Sequence, residues 1–211
     1  MNPWNLSLTL EKKGKSFLFR NVEEGDLEKL LAFREELSSA SRDLFCPYPW
    51  DREEELTESL KGCISNHLNQ VDAAYILLED EKVVGHCFLW GITSLVPELG
   101  VAIADRYHGL GLGSHSVRTL LLVAEALGVH AVELTTALGN EGGWRTYLKA
   151  GFQYTGLIRN PLEVNVKEAE VGEVRALKYR TERQMVYIID QSKREEVLTH
   201  LSRKRVLSKK R

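Results

Sequence analysis

Apolar residues recur along this chain in two rhythms, tight β-rich runs and positions every third or fourth residue, and the order of these rhythms predicts the elements. Ser16–Asn21 alternates as a first strand. Asp26 then stands ahead of Leu27, Leu30, Leu31, Phe33 and Leu37, the spacing of an amphipathic helix with an acidic cap. The segment Phe45-Cys46-Pro47-Tyr48-Pro49-Trp50 breaks that helix because its two prolines restrict the backbone. Asp51 is placed to cap a second helix through Glu55 to Ile64. Ala73–Leu78 and Val83–Trp90 read as a hairpin joined by the acidic turn Glu79–Lys82, and Glu98–Ile103 adds a strand. Ser114–Leu127 is helical and stops at Gly128. Ala131–Thr136 is a buried strand, Gly143–Lys149 a short helix, and Phe152–Ile158 and Gln184–Ile189 are the last strands. The order β-α-α-β-β-β-α-β-α-β-β is that of an α/β (α+β) domain.

Between the strand at Glu98–Ile103 and the next helix lies His108-Gly109-Leu110-Gly111-Leu112-Gly113-Ser114. Three glycines let the backbone approach a ligand closely, and the helix that opens there aims unpaired N–H groups and the positive end of its dipole into the turn. Pyrophosphate suits such a turn. A P-loop is excluded, because Gly113 is followed by Ser114 and His115 with no lysine. A dinucleotide fingerprint, Gly109-x-Gly111-x-x-Ser114 with Glu133 about 20 residues on, lacks its context: half the chain precedes it and no regular βα repetition follows.

Asn140-Glu141-Gly142-Gly143-Trp144-Arg145-Thr146-Tyr147-Leu148-Lys149-Ala150-Gly151-Phe152 resembles the Asn-x6-Tyr-x-Lys-x-Gly-Phe signature of the GNAT acetyltransferase superfamily. The glycine turn resembles that family's Arg/Gln-x-x-Gly-x-Gly/Ala loop, with His108 at the Arg/Gln position and Gly111 and Gly113 as the two glycines. Arg106-x-x-Gly109-x-Gly111 is an alternative frame. The resemblance covers about Ser16 to Asp190, most firmly Val83–Phe152. It implies this element order with a mixed, mostly antiparallel central sheet flanked by helices, acetyl-CoA as cosubstrate, no metal, and direct transfer of the acetyl group to a primary amine, either a protein or peptide N-terminus or a small molecule. The arrangement most resembles the branch that acetylates protein N-termini, including those of ribosomal proteins. A non-catalytic acyl-CoA sensor or adaptor on the same fold is the alternative.

The resemblance assigns roles residue by residue. Val101, Ala102 and Ile103 would offer backbone groups to the pantetheine arm and the thioester oxygen. His108, Gly109, Leu110, Gly111, Leu112, Gly113 and Ser114 would hold the pyrophosphate. Tyr147 would give a proton to the departing thiolate, since a phenol stays protonated at neutral pH. Asn140 would contact the pantetheine arm; it could equally cap a helix. Glu98 matches a glutamate that takes the amine proton through water, and His86 is the other candidate base. Tyr48 and Trp50 would wall the acceptor cleft. The acidic run Asp51, Glu53, Glu54, Glu55 and Glu58 could attract a cationic amine, or simply complement a helix dipole.

Composition narrows the setting. A chain of 211 residues with 43% hydrophobic residues suits one domain, expected over residues 1–190. Its three cysteines, Cys46, Cys63 and Cys87, have no metal-site spacing and suit a reducing compartment. Met1–Leu10 lacks a secretory pattern and no run reaches membrane-spanning length, so the expected setting is the cytoplasm, away from membrane. Residues 191–211 form a basic tail: from Ser202 on, six of ten residues are basic and none acidic, leaving −8 on the rest of a chain whose net charge is −2. Such a tail could make weak contacts to ribosomal RNA or another polyanion, or lie on the acidic body; Val197, Leu198, Leu201 and Val206 leave room for a short amphipathic helix. The connection Arg159–Arg183 is long for a hairpin loop and suggests a projecting arm, an extended hairpin or a solvated loop.

Overall fold

A computed structural model describes residues 1–163 and 177–209. Among these residues the strands form one sheet, in the order β1 (Ser7–Lys12), β2 (Lys15–Asn21), β3 (Ala73–Glu79), β4 (Lys82–Trp90), β5 (Glu98–Ile103), β6 (Ala131–Ala137), β8 (Leu177–Ile188) and β7 (Gln153–Glu163). Every neighbouring pair is antiparallel except β5 and β6. The sheet is thus mixed and mostly antiparallel, as the resemblance implies. Two elements go beyond that pattern. Ser7–Lys12 adds an edge strand, and Ser39–Leu44 forms a short helix of its own ahead of the proline segment.

The helices follow the hydrophobic spacing, with local chemistry moving their ends. The first, α1 (Leu27–Phe33), stops short of Leu37 and tightens into a 3-10 turn at Arg34–Glu36. Leu37 turns extended, and the Ser38 hydroxyl accepts from the Ser41 N–H to start α2 (Ser39–Leu44). Helix α3 (Glu53–Leu68) begins after Arg52 with no side-chain cap, so Asp51 is not its cap. Its first turn, Glu53-Glu54-Glu55, instead complements the helix dipole. The fourth helix, α4 (Leu112–Ala126), starts inside the glycine turn, two residues before Ser114, and ends ahead of Gly128 at φ +72°. Next come α5 (Glu141–Ala150) and, at the C-terminus, α6 (Arg194–Lys209).

Strands β3 and β4 are buried almost throughout, because helices cover both faces: α1 and α3 on one side and α4 on the other. Beyond β6 the face shared with α6 carries its own small core of Val96, Ala131, Val186, Ile188, Val197 and Leu201. Val197 and Leu201 are fully buried. Each contributes about 1.5–3 kcal/mol of apolar transfer, which holds α6 on the sheet. The expected basic tail is therefore in large part a packed helix. Strands β7 and β8 run well into the long connection from both ends, as an extended hairpin; its middle lies outside the described residues.

One glycine marks where the sheet is tightest. A Cβ on Gly100 would stand 2.1 Å from Cζ of Phe88, whose ring stacks on Trp90 at 3.9 Å, so an added methyl must displace a packed pair of rings. Gly100→Ala is therefore expected to destabilise the fold by about 1–3 kcal/mol, through overpacking, in urea unfolding followed by circular dichroism.

Candidate active site

The site begins with two neighbouring strands that separate. Strands β5 and β6 share one register position, Glu98 with Glu133, closed by the Glu133 N–H bonding to the Pro97 carbonyl at 2.9 Å. From Leu99 onward β5 keeps its bonds to β4 but has no ladder to β6. Backbone groups alternate along a strand: those of Ala102 pair with β4, in step with the Ala104 N–H bonded to the Val84 carbonyl at 2.9 Å, so Ala102 does not meet the expectation, whereas the groups of Val101 and the N–H of Ile103 face the open side, free for a ligand. A cleft of about 800 Å³ occupies the gap and reaches both sides of the sheet.

At one end of the cleft lies the glycine turn. Gly109 and Gly111 have φ near +77° and +79°, left-handed values that a side chain would strain, and no heavy atom lies within 4 Å of where their Cβ atoms would be. Gly111 is the N-cap of α4, makes no side-chain cap bond, and the first helical turn holds no acidic residue. An open helix N-terminus with close backbone approach fits a pyrophosphate. Gly109, Gly111, Leu112, Gly113, Ser114 and His108 all line the cleft, whereas Leu110 packs against the core. The His108 Nε2 lies 2.8 Å from the Ile103 carbonyl, so this ring is tied to the end of β5. Arg106, the alternative, points away: it pairs with Glu36 at 3.2 Å and covers the Tyr107 ring.

Tyr147 and Asn140 line the cleft from α5. Tyr147 is only 9% exposed, its ring meets Phe152 edge-on, and its hydroxyl makes no hydrogen bond among the described residues. Burial pushes its phenol up to about 12, so it carries a proton through the neutral range. Asn140 is the N-cap of α5, its Oδ1 accepting from the Gly143 N–H at 2.9 Å; the capping role is therefore real, and the amide nitrogen remains for other partners.

On the other side of the sheet the cleft has an apolar wall of Leu44, Phe45, Pro47, Phe88 and Trp90 and a polar wall of Glu98, Asn160, Arg180 and Glu182. Asp105, just after β5, fixes α2 beside this wall by accepting from the Ser38 N–H at 2.7 Å and the Ser41 hydroxyl at 2.6 Å. Arg180 spans the cleft: it pairs with Glu182 and donates to the Asp43 carbonyl and, at 3.0 Å, to the Cys46 Sγ. Pattern gave no hint of Phe45, Phe88 or Trp90 as wall residues, since any apolar strand or loop residue reads as core. Arg180 and Glu182 lay in the mixed-charge connection, where charge alone does not reveal direction.

Two expectations move. Tyr48 and Trp50 do not line the cleft; they are 5% and 4% exposed and belong to the core behind its apolar wall. The Tyr48 hydroxyl is bound to His86 Nε2 at 2.8 Å, and the Trp50 indole N–H donates to the Phe45 carbonyl at 2.6 Å. His86 is likewise a core residue, 1% exposed, with its Nδ1 3.1 Å from the Tyr75 carbonyl and its pKa pushed down to about 4 by burial. It is neutral, fully engaged and off the cleft.

Glu98 is reached by solvent from the cleft while protein surrounds it otherwise. That enclosure raises its carboxyl above the usual range; Lys204 opposes the rise, and Glu133 and Glu182 add to it. Cys46 also lines the cleft, and burial raises its thiol despite the neighbouring Arg180, which leaves it a poorly activated nucleophile.

The comparison with known proteins decides the family. Residues 32–152 match the profile of the acetyltransferase (GNAT) family, more than half of the chain. The chain belongs to the GNAT family. No curated protein sequence matches it. Solved structures share its fold. The ribosomal-protein-S5-alanine acetyltransferase from Vibrio fischeri superimposes with a TM-score of 0.70 at 14% identity, over 89% of this chain and 98% of that one. RimJ from Mycobacterium smegmatis, in complex with a CoA disulfide, gives 0.66 at 16% identity over 89% of each chain. The ribosomal-protein-alanine N-acetyltransferase from Brucella melitensis gives 0.60 at 20% identity, over 81% of this chain and 99% of that one.

This GNAT acetyltransferase uses acetyl-CoA, and the open glycine turn and unpaired edge of β5 fit that cosubstrate. Among the described residues no helix is long and apolar enough to cross a membrane. Of the six basic residues at the C-terminus, Lys204 and Arg205 turn inward onto Glu133 and Gln184, and Lys210 and Arg211 lie outside the described residues.

The raised carboxyl of Glu98 has a stability consequence. The folded state holds this proton more tightly than an unfolded glutamate does, so the benefit is complete below about pH 4.3 and is lost as pH rises through the elevated value. Glu98→Gln removes that loss. The melting temperature of the variant relative to the native protein is expected to rise between pH 4 and pH 7, as read by circular dichroism.

Proposed function

We propose that this enzyme transfers the acetyl group of acetyl-CoA directly to a primary amine, the N-terminal amine of a protein or peptide. The observation that carries this is the continuity of the cleft: one opening runs from the glycine turn, past Tyr147 and the free edge of β5, to Glu98 and the aromatic wall on the far side of the sheet. The acceptor end is an open groove between the loop after α2 and the β7–β8 hairpin, a shape suited to a chain end. The names of the Vibrio fischeri and Brucella melitensis proteins, both ribosomal-protein alanine acetyltransferases, support the same acceptor class. The acetyltransferase domain in this proposal spans residues 1–190, with residues 191–211 appended to it.

Each residue in the proposal has a chemical task. Transfer needs a neutral amine, and Glu98, its carboxyl raised toward the amine's range, takes the ammonium proton. As the amine attacks, negative charge gathers on the thioester oxygen, and the N–H groups of Val101 and Ile103, on the open side of β5, are the donors that receive it without reorganisation. The carbon–sulfur bond then breaks. Tyr147 gives its proton to the departing thiolate, a donor that burial keeps protonated until that moment. The unactivated thiol of Cys46 favours direct transfer over a route through an acetylated enzyme. The glycine turn, His108 and Ser114 bind the pyrophosphate, and the amide nitrogen of Asn140 meets the pantetheine arm.

Calorimetry with acetyl-CoA and CoA, followed by thiol release on a panel of N-terminal peptides and amines, tests the assignment. Tyr147→Phe is expected to lower kcat about 100-fold while the Kd for CoA stays the same. Undiminished thiol release in that variant removes Tyr147 from the mechanism.

A further inference from the structure

Helix α6 lies beyond the residues that match the family profile, and two adjacent basic residues on it converge on one buried carboxylate. Lys204 Nζ donates to Glu133 Oε1 at 2.8 Å. Arg205 donates to Gln184 Oε1 at 2.8 Å, and Gln184 Nε2 in turn donates to Glu133 Oε2 at 2.9 Å. The guanidinium thereby fixes the direction of the amide: its oxygen faces Arg205, and its N–H faces Glu133. Gln184 is wholly buried and the Glu133 side chain is 3% exposed, so water does not supply these donors. Each oxygen of Glu133 is held by a donor that α6 supplies or orients.

Glu133 is also the residue paired with Glu98 at the one register position that β5 and β6 share. Paired residues of a sheet project from the same face, which sets the two carboxylates side by side. We propose that Lys204 is a positioning residue for acetyl transfer, setting from the C-terminal helix, together with Glu133, the electrostatic field in which Glu98 takes up its proton. The proposal rests on Glu98 being the proton acceptor.

The charges around Glu98 make the sign definite. Glu133 comes from β6, Arg180 and Glu182 from β8, Lys204 and Arg205 from α6, and the thiol of Cys46 and the amide of Asn160 complete the surroundings. Arg180 is bound to Glu182, so that pair brings little net charge. Burial raises the Glu98 carboxyl most; on top of it Lys204 draws the carboxyl down and Glu133 drives it up, so these two charges oppose each other. Removing either partner alone unbalances it in opposite directions, an outcome that a purely packing role for Lys204 does not produce.

The test is a carboxyl titration in the full-length protein labelled with 13C at the glutamate carboxyls, with the Glu98 resonance assigned by its absence in Glu98→Gln. Lys204→Met is expected to raise the Glu98 midpoint by about 0.5–1 pH unit, moderated by the partial exposure of Lys204, and Glu133→Gln to lower it by a similar amount. The double variant returns toward the native midpoint, and Lys204→Arg keeps it. A midpoint that does not rise when the charge of Lys204 is removed overturns the proposal, whatever Glu133→Gln does. Should Lys204→Met fail to fold, Lys204→Gln, which keeps a hydrogen-bond donor for Glu133 without the charge, takes its place and is expected to raise the midpoint in the same direction. The acid limb of kcat/KM, measured with acetyl-CoA and an alanine-initiated hexapeptide, is expected to follow the same midpoints. A limb that survives in Glu98→Gln refutes the proton acceptor; a limb lost in Glu98→Gln but unmoved in Lys204→Met and Glu133→Gln refutes the role of Lys204.

Discussion

The molecule depends on the place where two adjacent strands stop pairing. In an otherwise antiparallel sheet, β5 and β6 run parallel, meet at Glu98 and Glu133, and then diverge. Hydrogen-bonding groups left open by that divergence are costly in a closed core and useful in a cleft, because each needs a partner. The helices that follow these strands, α4 and α5, begin at the same end, so their N-termini gather beside the opening. Parallel pairing is what makes this possible: a crossover must separate β5 from β6, and α4 is that crossover.

The opening divides the chemistry between the faces of the sheet. One end offers backbone: the left-handed glycine turn, the uncapped start of α4 and the unpaired edge of β5. The other offers side chains: an aromatic wall against a group of carboxylates and cations. The apolar wall is stiff because it is backed by a buried polar chain, in which Tyr48 binds His86 and His86 binds the Tyr75 carbonyl. Gly100 lets Phe88 lie flat on β5, and Phe88 carries Trp90 stacked upon it. Packing behind the wall thereby sets the width of the groove in front of it.

Helix α6 contributes in two ways that its composition conceals. Its apolar residues close a second core against β6 and β8, and its inward basic residues meet Glu133 and Gln184 beneath Glu98. A buried carboxylate without such partners would be strongly unfavourable, so the helix and the acid support each other. The basic character at the C-terminus is in this respect the counterpart of carboxylates on the sheet.

Much of the fold was legible in the chain because strand and helix periods are local. The hairpin of β3 and β4, the spacing of α4 and its stop at Gly128, and the glycine turn before it all follow from residues close in sequence. The signature from Asn140 to Phe152 likewise pointed to acetyl transfer before any geometry was known. Direction was not legible. Tyr48 and His86 have polar atoms and stand near the cleft, yet they face the core, because a ring's orientation depends on what packs behind it. Glu98, Glu133, Arg180 and Lys204 come from four distant segments, and only the sheet order and the docking of α6 bring them together. The sequence alone determined the elements, their order and the kind of group the turn can hold, since these rest on short-range sterics and periodicity. Tertiary structure decided which charges share the cleft and which carboxylate stands open in it, because electrostatics acts through space between residues that the chain keeps far apart.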